Sequence, residues 1–458
     1  MVGRRSGPEM IDTTQIQESL EVRNYKNLRL MFRKAEPADI AEAFADLQFP
    51  DSIILFRLIP SLKKAAVFSR LNHEKQVEMI DKLPEPVLTS ILNDMEPDDR
   101  TQLLEDLPFE ISNKLLLKLE PDERQVAWKL LSFPEGSVGR ITNPDFFSLR
   151  AEMKVSEALD FLRWNVKEAE PSLDYLFVTD INQVYLGEIK LSTLVLADPT
   201  TMKLGDIMST SYPTLSAFDP TEKAVDFLRK YDRAYFPVLG EKNVCIGVVT
   251  ADDVFDVAEE EATEDIQQFG GQSTFEGSYF HIPAWQLLRK RIGWLAFIFV
   301  GELFTGTVLR KYEGALAKWQ FLVFFLPLIV SSGGNSGSQA ASLVIRGLAI
   351  KEMELSDWWK VLKKELLMGL GLGAILGGLG YARALTWGNT AVVATIVFCS
   401  LVGCVLFGAV AGAMLPFLIK FCKFDPAVSS SPLIASVVDV CGIWIFLNIA
   451  LAIFHFYG

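Results

Sequence analysis

Cysteine and histidine are scarce in this 458-residue chain, at 5 and 3 residues. Cys245, Cys399, Cys404, Cys422 and Cys441 form no CxxC, and four of them lie in or beside apolar stretches. They read as small buried hydrophobes, which excludes a disulfide framework and a zinc site. His73, His281 and His455 are scattered, which argues against a histidine-based metal centre. Basic charge is short too: 44 Lys+Arg face 57 Asp+Glu. Nucleic acid needs a basic patch, so it is excluded as a partner. Neither a glycine-rich phosphate loop nor a nucleophile–base pair is visible, so no enzyme is expected. Residues 1–15 hold no apolar run, so no cleaved signal peptide is expected.

The charge is unevenly divided. Residues 1–288 carry 30 basic and 49 acidic groups, net −19, whereas 289–458 carry 14 and 8, net +6. The first long hydrophobic stretch starts near Ile292. The acidic region before it is expected to stay in the cytoplasm, where such a surface is soluble and collects cations.

Residues 20–136 read as a helical domain. Phe49-Pro50, Ile59-Pro60, Leu83-Pro84, Glu96-Pro97, Leu107-Pro108, Glu120-Pro121 and Phe133-Pro134 recur about every 12 residues, with Leu71-Asn72 filling the gap. Proline in a first helical turn costs no hydrogen bond, and an acid beside it suits the helix N-terminus. The pattern predicts a stack of short helices, a small α-solenoid. Acids at several helix starts, aimed at one neighbour, can share a divalent ion.

Residues 137–257 contain a tandem repeat. Val155-Ser156-Glu157-Ala158-Leu159-Asp160-Phe161-Leu162-Arg163 matches Thr221-Glu222-Lys223-Ala224-Val225-Asp226-Phe227-Leu228-Arg229 at an offset of 66. Tyr175-Leu176-Phe177-Val178 matches Tyr235-Phe236-Pro237-Val238 at 60, as Leu186-Gly187-Glu188-Ile189 matches Ile246-Gly247-Val248-Val249. Each unit reads helix, strand, turn, strand, helix. This resembles a pair of CBS domains, an α/β regulatory module that often binds adenosine nucleotides. The second unit, from Gly205-Asp206-Ile207-Met208 to Thr250-Ala251-Asp252-Asp253, is the better match; the first ends Gly187-Glu188-Ile189-Lys190-Leu191, without the acidic pair.

An acidic connector, residues 252–282, follows. Asp253, Asp256, Glu260 and Glu264 step by 3, 4 and 4 and so share one helix face, with Glu261 and Asp265 beside it. Like charges at i, i+4 repel, so this helix is expected to need a counter-cation. Gly270-Gly271 and Pro283 then break the chain.

Residues 289–458 form a membrane domain. Five spans are long enough to cross a bilayer: about 291–311, 318–346, 362–385, 390–421 and 428–457. With the N-terminal region inside, ten Lys/Arg fall on the inner side and four on the outer, which places the C-terminus outside. In the second span Ser331-Ser332-Gly333-Gly334-Asn335-Ser336-Gly337-Ser338-Gln339 sits at membrane depth. Such a run invites either close helix packing or a broken helix lining water. Asp439, seven residues beyond Pro432, lies about 10 Å into the last span. A carboxylate there costs at least about 2.5 kcal/mol unless it meets water or a cation. Glu302 in the first span raises the same question, as a pore acid or a partner in a polar contact.

Together, Pro327-Leu328-Ile329-Val330, Gly333-Gly334-Asn335-Ser336-Gly337-Ser338-Gln339, Asp425-Pro426-Ala427, Pro432 and Asp439-Val440-Cys441-Gly442 resemble the signature of the MgtE magnesium channel family. So does the order of parts: α-helical superhelical N-domain, tandem α/β CBS domains, a connector with Ala262-Thr263-Glu264-Asp265-Ile266, and a five-helix transmembrane domain. The resemblance implies a homodimer in the plasma membrane, with the pore on its two-fold axis. It implies Asp439 of each subunit as the ion-binding carboxylate, with Asn335 and the backbone near Gly334 assisting and Asp425 near the inner mouth. The sensing acids would be Asp253, Glu261, Glu264, Asp265, Glu222 and Asp232, with Asp94 and Asp98 in the N-domain. Ser338 and Glu302 depart from the family pattern. Two carboxylates around a largely hydrated ion suit Mg²⁺, and a softer metal would draw Cys or His ligands. The alternatives are a membrane-anchored divalent-cation sensor and a broader divalent transporter that takes Co²⁺ or Mn²⁺.

Overall fold

The computed structural model describes residues 13–45, 51–165, 174–274 and 282–457. Residues 1–12 and the Phe49-Pro50 step of the repeat lie outside them. The chain divides into two compact units, 1–261 and 262–458, each described by itself.

The first unit opens with short helices: α1 (Thr13–Glu21), α2 (Tyr25–Lys34), α3 (Pro37–Ala45), α4 (Asp51–Leu58), α5 (Ser61–Ser69), α6 (His73–Lys82), α7 (Glu85–Asp94), α8 (Pro97–Asp106), α9 (Phe109–Leu116) and α10 (Pro121–Leu131). The 12-residue beat sets their N-caps at Pro60, Asn72, Pro84, Glu96, Pro108 and Glu120. Asn72 replaces proline by accepting a hydrogen bond from the Lys75 N–H through its side chain. The same beat carries the core. Phe32, Phe44, Phe56 and Phe68 are fully buried, and successive ring centroids lie 6.4, 6.2 and 6.2 Å apart. Leu92, Leu104 and Leu116 continue the column with aliphatic side chains.

Two three-stranded sheets follow. Strand β1 (Ser148–Arg150) runs parallel to β2 (Tyr175–Thr179), which pairs antiparallel with β3 (Tyr185–Lys190). Likewise β4 (Leu215–Ser216) runs parallel to β5 (Tyr235–Leu239), which pairs antiparallel with β6 (Cys245–Thr250). The short leading strands β1 and β4 escape a reading based on apolar runs. Helices α11 (Val155–Asn165), α12 (Leu191–Leu196), α13 (Leu204–Ile207) and α14 (Thr221–Tyr231) pack around the sheets. A bridge between Val184 and Val244 joins the two sheets. Gly247 is required by space: a Cβ there would lie 2.4 Å from the Asn143 carbonyl oxygen.

The acidic part of the connector is one helix, α15 (Ala251–Phe269), and residues 275–281 of the connector lie outside the described residues. The chain turns away after it at Gly271, whose φ of +74° favours glycine.

Among its described residues the second unit contains five helices long and apolar enough to cross a membrane. They lie in α16 (Ala284–Lys311), α18 (Leu326–Ala349), α19 (Trp358–Thr386), α20 (Ala391–Phe421) and α21 (Ser431–Tyr457), with a short α17 (Glu313–Lys318) after the first. Helix α16 begins at Ala284, so Arg289, Lys290 and Arg291 lie inside it and not ahead of it. The glycine-rich run of α18 is unbroken helix, which decides for close packing. A Cβ on Gly408 would sit 2.1 Å from the Gly333 carbonyl oxygen, and one on Gly412 would sit 2.0 Å from that of Gly337. The α18 and α20 backbones touch there. The free cysteines follow the expectation at Cys245 and Cys404, which are buried; Cys422 departs from it, being exposed where α20 ends.

Candidate ion pathway and acidic sensing cluster

In the second unit α18 and α21 cross where a Cβ on Gly334 would lie 3.8 Å from the Ala435 Cα. Asn335 adjoins this crossing, and Asp439 lies one turn beyond it on α21. Ser431 and Ser338 tie the two helices by a 2.9 Å hydroxyl hydrogen bond. Asn335 is exposed and Asp439 half-buried, so this chain leaves both polar groups accessible at bilayer depth. Glu302 approaches from α16: its Oε1 accepts from the Ser436 hydroxyl at 3.3 Å. Ser436 lies one turn before Asp439, so the two intramembrane acids face one neighbourhood. Of α16, only Ile298 is buried among the described residues.

The end of α15 meets the start of this bundle. A Cβ on Gly271 would lie 2.7 Å from the Trp294 ring and 3.3 Å from Pro432, and the Trp294 indole N–H donates to the Ser430 hydroxyl at 2.9 Å. Asp265 is held above the usual carboxylate range, first by burial and then by Asp425 and Glu264. Asp265 and Asp425 therefore act electrostatically on one another. Asp425 also caps the turn before α21 by accepting from the Ala427 N–H at 2.8 Å.

In the first unit the N-terminus of α8 meets the start of α15. Asp98 is pushed up to about 8, by burial first and then by Asp253, Asp99 and Glu96. Asp253 is pushed up to about 7 by burial and by Asp252 and Asp99, against hydrogen bonds from Thr250. Glu96, Asp99 and Asp256 are raised as well, each chiefly by burial, with Asp252 adding to all three. Asn143 donates to Glu96 at 3.2 Å and to Asp98 at 3.4 Å, and Arg70 offers partial compensation to Glu96, Asp99 and Asp256. Six carboxylates thus interact at one contact, of which only Asp98 and Asp253 were singled out as sensing acids. The missed four were in view as the helix start Glu96-Pro97-Asp98-Asp99 and the run from Asp252 to Asp256; nothing local shows that these segments meet. Asp94 stays outside, exposed and accepting from Ser90 at 3.2 Å. Glu222 and Asp232 are exposed at opposite ends of α14, where Asp232 caps the helix with a φ of 50°. Among the described residues no group of three or more His, Cys, Asp or Glu side chains is arranged to hold a metal by itself.

Family models match three segments: the MgtE intracellular N domain at 35–136, a CBS domain at 204–260 and the MgtE divalent cation transporter at 326–449. A magnesium transporter MgtE of Thermus thermophilus is 34% identical over 321 residues, covering 70% of this chain and 71% of that protein. The chain belongs to the MgtE family. Its function is accordingly transport of a divalent cation across a membrane, with soluble regulatory domains attached. It is also similar to a magnesium transporter MgtE of Bacillus subtilis, 29% identical and covering 71% of each chain. A crystal structure of the cytosolic domain of the Mg²⁺ channel MgtE in complex with ATP matches with a TM-score of 0.51 at 27% identity. That match covers 54% of this chain and all of that one. The CBS model covers the second unit of this MgtE chain, the unit whose motifs are the more complete.

Proposed function

We propose that this MgtE-family protein is a homodimeric Mg²⁺ channel for magnesium uptake, gated by internal Mg²⁺. The observation that carries the reading is Asp439, a carboxylate at bilayer depth that its own chain leaves half-exposed beside the α18–α21 crossing. Its charge is tolerable there only against water or a cation. Two copies on a two-fold axis present two carboxylates to one ion. Mg²⁺ sheds water reluctantly and is held by one or two carboxylates through a partly retained shell. Asn335, which is exposed, contacts that shell, Gly334 is buried against α21 and serves the packing instead, and Asp425 gathers ions at the inner mouth. Glu302 adds a second acid per subunit, which favours doubly charged ions.

The soluble region lies in the cytoplasm and the chain ends outside, following the Lys/Arg asymmetry. The carboxylates of Glu96, Asp98, Asp99, Asp252, Asp253 and Asp256 form the sensing contact. At high internal Mg²⁺ an ion offsets their repulsion and holds α8 against α15; at low Mg²⁺ the contact opens. A second switch joins Asp265 to Asp425, with Glu261 and Glu264 on the same helix. Differential affinity of Mg²⁺ for the closed state drives the change. The CBS pair takes an adenosine nucleotide, as suggested by the ATP-bound relative.

Flux into vesicles reconstituted with the full-length protein tests the pore. Asp439→Ala is expected to abolish Mg²⁺ uptake while leaving the assembly folded. Transport unchanged in that variant would remove Asp439 from the pathway. Parallel flux of Mn²⁺, Co²⁺ and Ca²⁺ sets the selectivity.

A further inference from the structure

A cation is buried where the two CBS units meet. Arg233, just ahead of β5, has its guanidinium carbon 4.3 Å from the ring centroid of Tyr175 and 4.6 Å from that of Tyr212. Tyr175 comes from the first unit and Tyr212 from the second, between α13 and β4. The Nη2 atom donates to Oε1 of Glu188, on β3 of the first unit, at 2.5 Å. The two side chains are only 7% and 1% exposed. Yet Arg233 Nε and Nη1, Glu188 Oε2 and the Tyr185 hydroxyl are all buried without a hydrogen-bond partner.

This arrangement is poorly explained as a device for stability. A buried ion pair seldom outperforms well-packed apolar residues, because both charges are desolvated. Buried polar atoms are almost always satisfied, and here four are not. Guanidinium is flat, delocalised and weakly hydrated, which suits an aromatic slot. What the surroundings offer is two aromatic faces, a carboxylate at the edge and a hydroxyl beside it. That is how proteins hold a nucleobase: stacking on the faces, hydrogen bonds at the rim. A carboxylate at the rim accepts from an exocyclic amino group, such as the one adenine carries.

We propose that Arg233 is a built-in occupant of a base-binding slot: its guanidinium stands where the adenine ring of a nucleotide would stack between Tyr175 and Tyr212, with Glu188 taking the amino group. A nucleotide at this junction therefore competes with a residue of the chain, and binding is weak until Arg233 withdraws. This rests on the adenosine nucleotide as ligand of the CBS pair, and the test separates the two ideas.

ATP and AMP binding is measured by equilibrium dialysis on the full-length protein in detergent micelles. If the slot is open in less than about a tenth of molecules, Arg233→Ala raises ATP affinity at least about tenfold. Adding Glu188→Ala to that variant should cancel most of the gain, because the amino-group acceptor is lost. Arg233→Lys keeps the charge but not the plane; it should give a smaller gain, and it serves if Arg233→Ala fails to fold. Equal ATP affinity in wild type and a folded Arg233 variant overturns the slot while leaving the nucleotide reading intact. No binding to either protein overturns both. A gain that survives Glu188→Ala also overturns the slot, since the base would then sit elsewhere.

Discussion

In the helical N-domain, neighbouring helices are spaced by rings; in the membrane unit they meet where side chains are missing. Phe32, Phe44, Phe56 and Phe68 stack edge to face and at a tilt through the solenoid core, one per 12-residue step. Gly333 and Gly337 on α18 lie against Gly408 and Gly412 on α20, backbone to backbone. Water explains the difference. In the soluble domain large apolar rings gain from leaving water, so size is rewarded. In lipid no such gain drives helices together, and close approach with its dispersion contacts takes over. Removing bulk should therefore harm the first region, and adding bulk the second.

The largest effect is expected at Phe56. It is fully buried between two other rings. Phe56→Ala should destabilise the N-domain by about 3–5 kcal/mol, the usual cost of emptying such a site. Urea unfolding followed by circular dichroism would show it; a loss below 1 kcal/mol would mean that the column is not the core.

The converse substitution comes next. A Cβ on Gly412 meets a carbonyl oxygen at 2.0 Å, whereas one on Gly371 meets open space. Gly412→Ala should cost about 1–3 kcal/mol through forced separation of α18 and α20. Gly371→Ala should be neutral. Thermal stability of the purified protein in detergent compares them, and equal midpoints would refute backbone contact at Gly412.

These two sites also mark how far the sequence could be read. The 12-residue beat is visible in the prolines because helix starts are local events, and the structure places the phenylalanines on the same beat. The glycine run at 333–337 is visible as a packing motif, but its partner at 408–412 is not, because partner choice between helices leaves no local trace. Asp439 stands out as a charge in an apolar span; Ser436 and Glu302 as its neighbours do not. The pair Arg233–Glu188 is 45 residues apart and falls in two different units of the repeat. Glu188 interrupts the apolar run of β3 and Arg233 ends a charged run ahead of β5, and neither signal identifies a partner. The acids follow the same rule: Asp98 and Asp253 are each visible at a helix start, while their meeting depends on how α8 docks.

That docking gives the third prediction. Asp98→Asn removes one carboxyl whose ionisation the closed cluster disfavours, yet keeps the volume. Limited proteolysis between the N-domain and the CBS pair should slow in chelator by about tenfold, the equivalent of one pK unit of relieved repulsion. The added protection from millimolar Mg²⁺ should shrink in parallel, since a ligand has gone as well. Faster cleavage in chelator would mean that Asp98 stabilises the contact as a cap or hydrogen-bond acceptor.

The smallest effect is a proton doing part of the work of a metal. Asp98 and Asp253 are raised to about 8 and about 7 in the folded contact, above an ordinary aspartate. The closed contact thus binds more protons than the opened one. Its stability is greatest at low pH and is lost as pH rises through those two values. In chelator, protection from proteolysis should fall between pH 6 and pH 8.5, by less than about tenfold per pH unit, because Arg70 and solvent reach the cluster. With Mg²⁺ in excess the same interval should be flat, because the ion supplies the charge that protons otherwise provide. A contact that tightens as pH rises in chelator would show that these carboxylates are ionised and paired when closed, and the contrast between a repelling soluble cluster and a self-contained membrane packing would not hold.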